Sequence, residues 1–157
     1  MKKVLFLLMT MIVFGFQRIN AQDAIKIVTG HPDLKIKVTR CVASGKNVVL
    51  DMTVTNMGDT DAPEFGVHGS NWATKIYDDQ GNIYEKDIKV KIANKDYTTD
   101  RYFIKLVAGV PFKFSIMVSE VSPQAESFVL VEPDIYCEFW SINKDTVKLR
   151  NIPISRE

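Results

Sequence analysis

Apolar and polar residues alternate with a period of two over most of this chain. Val48, Leu50, Met52 and Val54 take turns with Val49, Asp51, Thr53 and Thr55. Ile88, Val90 and Ile92 alternate with Lys89 and Lys91. Val110, Phe112, Phe114, Ile116 and Val118 alternate with Pro111, Lys113, Ser115, Met117 and Ser119. Leu34, Ile36 and Val38 mark one face of an earlier run. Successive side chains of a strand point to opposite faces, so this rhythm puts one face in a core and the other in water, as in antiparallel sheets. Phe128–Val131 is apolar at every position and predicts a central strand. Ile135–Ile142 and Thr146–Ile154 complete the set. Pro153 has no N–H to donate and belongs at an edge or a strand end.

Turn-forming residues separate these runs. Ser44-Gly45-Lys46-Asn47 predicts one hairpin, and Asp78-Asp79-Gln80-Gly81-Asn82 predicts another between Lys75–Tyr77 and Ile83–Glu85. Ala108-Gly109 and Asn143-Lys144-Asp145 predict further turns. No amphipathic helix of useful length is visible. The expected fold is all-β, an antiparallel sandwich of about seven to nine short strands. Gly58–Asn71, punctuated by Gly58, Pro63, Gly66 and Gly69, predicts a long loop. Loops of that length in a compact domain are more often functional than short turns are.

The N-terminus changes where such a domain would work. Lys2 and Lys3 precede an almost unbroken apolar run, Val4–Phe16, and Gln17–Ala21 ends it on a small residue. That order predicts a secretory signal peptide, residues 1–21, cut after Ala21. The run is too short to span a bilayer, which takes about 20 residues. Residues 22–157 then form one exported domain, periplasmic or secreted, with no membrane span. No Cys follows the apolar run to take a lipid anchor. Losing Lys2, Lys3 and Arg18 turns the formal charge of +1 into −2. The remaining cations are scattered along the chain rather than massed on one segment, which gives no reason to expect nucleic acid. The oligomeric state is not encoded in any visible motif.

Several segments together resemble a known class. Asn47–Gly58 (NVVLDMTVTNMG) is a strand ending in an Asn-x-Gly turn. Ile76–Tyr84 (IYDDQGNIY) is a hairpin with an aromatic on each arm, and Leu106–Val118 (LVAGVPFKFSIMV) is a glycine turn feeding a long alternating strand. In this order, from about Leu34 to Val131, they resemble the immunoglobulin-like β-sandwich domains of unknown function in bacterial secreted and surface proteins. The Asn20-Ala21-Gln22 junction is similar to that of exported Bacteroidota proteins. The resemblance implies an accessory or interaction module and no catalytic residues. The chain departs from the common form by ending in a Trp-bearing strand and one more strand.

Candidate chemistry is sparse. His68 shares the Gly58–Asn71 segment with Asp59, Asp61 and Glu64, but the spacing matches no calcium loop, and a solvated acidic loop explains it. Asp78, Asp79 and Asn82 are what a hairpin turn asks for. There is no Gly-x-Ser-x-Gly elbow, no Cys-x-x-Cys, and no carboxylate pair singled out for glycoside cleavage. No cofactor and no metal are expected. Phe65, His68 and Trp72 are the candidate partner-binding residues, because aromatics at loop positions stack on sugars or anchor proteins. Burial in the core is the competing explanation, and it is the stronger one for Trp72. Cys41 and Cys137 form a candidate disulfide, which an exported compartment permits. Cys41 falls out of phase with Leu34, Ile36 and Val38, so the two would meet only if a bulge near Arg40 shifts the register. Two free, half-buried thiols are the alternative. Asp145-Thr146-Val147 resembles the O-glycosylation acceptor of exported Bacteroidota proteins, which makes Thr146 a candidate acceptor. The expected role is an exported, non-catalytic module that binds a protein or envelope partner. A carbohydrate-binding module is the alternative, and a small exported hydrolase is a third.

Overall fold

A computed structural model describes residues 24–71, 73–143 and 146–156. The signal-peptide segment, Trp72 and Asp145 lie outside the described residues. The strands are β1 (Lys26–Val28), β2 (Leu34–Ser44), β3 (Asn47–Asn56), β4 (Ala62–His68), β5 (Lys75–Asp78), β6 (Ile83–Tyr84) and β7 (Lys89–Ile92). They continue as β8 (Arg101–Leu106), β9 (Pro111–Val118), β10 (Ser127–Glu132), β11 (Asp134–Tyr136), β12 (Lys148–Pro153) and β13 (Ser155–Arg156). Four of the thirteen (β1, β6, β11 and β13) are two or three residues long, and the other nine carry most of the pairing. Among the described residues the only helical element is one 3₁₀ turn, Glu138–Trp140.

The fold is all-β and predominantly antiparallel. The first sheet runs β1-β12-β10-β5-β6, the second β11-β4-β8, and the third β13-β2-β3-β9-β7. Among the strands of the described residues only β13 pairs in parallel, with β2, and one isolated parallel bridge joins Asn56 to Ala108. Gly69 N–H donates to Asp100 O at 2.7 Å and continues the β4–β8 pairing, and the second sheet is tied to the third where Ser70 N–H donates to Ile88 O at 2.9 Å. Inward side chains of all three sheets meet in one core. Leu50, Phe114 and Ile116 come from the third sheet, Phe65, Leu106 and Ile135 from the second, and Phe128, Val131 and Leu149 from the first. β10 is central in its sheet, and Pro153 closes β12, where its missing N–H costs no ladder bond.

The turns follow local chemistry. Ser44 pairs with Asn47 across a two-residue loop in which Gly45 takes φ 60°, a conformation that costs a glycine little. In the β5–β6 hairpin Gly81 has φ 84°.

Three expectations are corrected. Gly58–Asn71 is not a long loop: it contains β4, the middle strand of the second sheet. Phe65 and Val67 keep the period of two and point into the core, while Pro63 and Gly66 masked that rhythm. Ile135–Ile142 is not one strand either. β11 ends at Tyr136, and a 3₁₀ turn closed by a left-handed Ser141 (φ 53°) returns the chain, so that Cys137 bridges Ile142. Third, the register of β2 does shift between Val38 and Arg40, and this turns Cys41 inward to 6% exposure opposite Leu50. Even so, Cys41 and Cys137 are free thiols, both buried rather than half-buried. No bridge joins them in the structure.

Candidate functional site

The second sheet turns one face to the core and the other outward. Phe65, Val67, Ile135 and Leu106 take the inner side, so alternation sends Gly66, His68, Asp134, Tyr136, Arg101 and Phe103 to the outer side. Register then sorts the outer residues into two rows. Asp134 is opposite His68, which is opposite Arg101. Tyr136 is opposite Gly66, which is opposite Phe103.

The first row is a buried polar network. His68 Nδ1 lies 3.0 Å from Asp134 Oδ2, and both side chains are over nine-tenths buried. Thr74 locks the pair to the backbone: its hydroxyl donates to His68 O at 2.7 Å and accepts from Asp134 N–H at 2.9 Å. Buried polar groups of this kind persist when their partners are supplied, and this set fixes the β4–β11 register at that end.

The second row is aromatic around a glycine. A Cβ on Gly66 would come within 2.7 Å of Phe103 Cε1 and 3.1 Å of His68 Nε2, so the ring rests on bare backbone. Phe103 is 41% exposed and makes edge contacts with His68 (centroids 5.7 Å apart) and Tyr136 (6.3 Å). The Arg101 guanidinium sits 5.3 Å over the Phe103 ring. Beyond Tyr136 the surface turns acidic. A shallow pocket there is lined by Pro63, Glu64, Glu138 and exposed Phe139. Desolvation raises the Tyr136 phenol above its ordinary range, and the Glu138 and Glu64 carboxylates add to that. At the same end of β8, Lys105 pairs with Asp61 at 2.7 Å, and that lysine, with the Ala108 N–H, holds the Asp61 carboxyl below its ordinary range.

A His–Asp pair could orient a base, but Thr74, the hydroxyl bonded into its network, already donates to a carbonyl. Burial pushes the Cys41 thiol up to about 12, helped by the Asp51 carboxylate, and raises Cys137 as well, so neither is an activated nucleophile. Among the described residues no group of three His, Cys, Asp or Glu is placed to hold a metal ion.

The sequence-derived candidates are divided by this geometry. His68 belongs to the face, but as a buried member of its polar row. Phe65 is fully buried on the opposite side of β4 and offers no surface to a ligand. Trp72 is outside the described residues. Thr146 is half-buried; its hydroxyl donates to Asn143 Oδ1 at 3.1 Å and accepts from Asn143 N–H at 3.3 Å. Asp78 and Asp79 serve the hairpin and its neighbour: Asp78 accepts from Gln80, Asn82 and Tyr84, and Asp79 accepts from Glu126 N–H. Phe103, Arg101 and Tyr136 were missed. Their signal was the alternation of Arg101, Phe103 and Lys105 with Tyr102, Ile104 and Leu106. No protein-family model matches the chain, and no curated protein matches it in sequence.

Proposed function

We propose that the protein is an exported, non-catalytic recognition module of immunoglobulin-like type, and that the outer face of the β11-β4-β8 sheet receives a protein partner. One observation carries this: Phe103, held on Gly66 and capped by Arg101, stands exposed beside Tyr136, with the Glu64–Glu138 pocket beyond it. Rigid aromatics with an arginine are the side chains that dominate protein interfaces. Charges of both signs at the margins favour a partner that carries both. The N-terminal pattern of residues 1–21 supports export, periplasmic or secreted.

Carbohydrate recognition is the second reading, favoured by the neighbouring aromatics alone. It fits less well, because the face of Phe103 that a sugar would use is shared with Arg101. The two are separated by affinity capture from envelope extract and by a glycan array, each run with the protein and with Phe103→Ser and Arg101→Gln variants. A protein retained by the parent chain and lost with both variants is the expected result. Array binding lost with Phe103→Ser would replace it with the glycan reading, and retention unaffected by either variant would refute the assigned face.

A further inference from the structure

The third sheet gathers lysines that are far apart in sequence. Its outer face carries Lys35 and Lys37 on β2, Lys113 on β9, Lys89 and Lys91 on β7, and Arg40 past the bulge. The register sets them in rows: Lys35–Thr55–Pro111, Lys37–Thr53–Lys113, Arg40–Asp51–Ser115–Lys91, and Val42–Val49–Met117–Lys89. Each row holds a cation. Asp51 is the one carboxylate among them, and it is taken by Arg40 Nε at 2.9 Å and Ser115 Oγ at 2.6 Å. Lys35, Lys37, Lys89 and Lys113 make no ion pair among the described residues. With about 4.8 Å between strands and about 6.8 Å between alternate residues, six cations share a patch of roughly 15 by 20 Å.

An apolar tip adjoins the patch at its Lys35 end. Met57 is 54% exposed, Val110 43% and Val107 38%. They sit on two loops held side by side, where Gly109 N–H donates to Asn56 O at 2.7 Å. A groove lined by Lys35, Lys37, Thr53, Thr55, Met57 and Pro111 joins the tip to the lysines.

We propose that this face and tip dock the protein on an anionic lipid surface. Met57, Val107 and Val110 enter the boundary between headgroups and acyl chains, and the lysines lie over headgroup phosphates. A few apolar side chains or a basic patch alone bind a bilayer weakly, and the two together reinforce each other. A soluble polyanion would use the cations and gain nothing from the tip, which is why the lipid is assigned. The mode is adsorption: no helix among the described residues is long and apolar enough to cross a membrane. This surface is separate from the aromatic face and does not depend on the partner assigned there.

The test is co-sedimentation with vesicles of phosphatidylcholine alone and of equal parts phosphatidylcholine and phosphatidylglycerol. The protein should pellet with the anionic vesicles only, less so at high salt. The triple variant Lys35→Gln, Lys37→Gln, Lys113→Gln should lose affinity roughly a hundredfold. The double variant Met57→Ser, Val110→Ser should lose roughly tenfold. Both variants should keep the parent melting temperature, which shows that the fold is intact. Failure to pellet with anionic vesicles overturns the proposal. So does a double variant that binds like the parent while a soluble polyphosphate competes, since that outcome assigns the lysines to a free polyanion.

Discussion

Asp78 is the carboxylate whose removal should cost this fold most clearly. It is 2% exposed and accepts four hydrogen bonds: Gln80 N–H and Asn82 N–H at 2.9 Å, Asn82 Nδ2 at 2.8 Å and Tyr84 Oη at 2.7 Å. Tyr84 Oη in turn accepts from Ser122 N–H at 3.1 Å, so one side chain links the β5–β6 hairpin to the segment before β10. A hydrogen bond to a charged group contributes about 1.5–3 kcal/mol, but donors freed on an exposed turn are partly rehydrated. Gln80 and Asn82 are exposed and Tyr84 is half-buried. Counting the Tyr84 bond in full and the others in part, Asp78→Ala should lose about 3 kcal/mol and Asp78→Asn about 2 kcal/mol. The pH dependence has a definite sign. Burial works against the Asp78 carboxylate, yet the bonds from Asn82, Tyr84 and Gln80 outweigh it and hold the carboxyl below its ordinary range. A folded-state pKa below the unfolded value, about 4, adds stability that is complete above that value and fades as pH falls through the folded pKa. Urea unfolding followed by tryptophan fluorescence at pH 7 and pH 3 checks both points. The gap between parent and Asp78→Asn should narrow on acidification. A gap below about 0.5 kcal/mol at pH 7, within the usual range of surface substitutions, or one that widens at pH 3, would refute the reasoning.

Two glycines, Gly66 in β4 and Gly69 just after it, should respond differently to a methyl group. On Gly69 it would meet Thr99 O at 2.6 Å and Ile88 O at 2.8 Å, both backbone, so Gly69→Ala should unfold several degrees earlier in a thermal melt. On Gly66 it would meet the Phe103 ring, which can swing away, so Gly66→Ala should melt closer to the parent and lose partner capture. Equal losses of stability in the two would contradict this. The thiols of Cys41 and Cys137 should stay unreactive toward a thiol reagent at pH 8 until denaturant is added, since burial raises both. Rapid labelling of the native protein would show that they are accessible.

Much of the sheet structure was legible because burial on one side imposes a rhythm that a single strand carries by itself. β3 and β9 bury Leu50, Met52, Phe114 and Ile116 and show it locally. The hairpins were legible because a two-residue turn restricts its own residues, as Gly45 shows. The β2 bulge was foreseen only as a condition for Cys41 to meet Cys137; it is present and turns Cys41 inward, yet both thiols are free. β4 was not legible: Gly66 is there for Phe103, a residue 37 positions on that no local pattern announces. The site failed for the same reason. Tyr136, Gly66 and Phe103 become neighbours only through the pairing of three strands. Lys35, Lys37, Lys89, Lys91 and Lys113 look scattered along the chain, and cross-strand register alone gathers them on one face.

The assigned recognition face is tested most directly by placing a photo-crosslinking amino acid at position 103 and, as a control, at position 129, where Val129 is 38% exposed on the first sheet. Irradiation in intact cells should join one protein to position 103 and leave position 129 without that adduct. No adduct at 103, or the same adducts at both positions, would contradict a partner seated on the aromatic face.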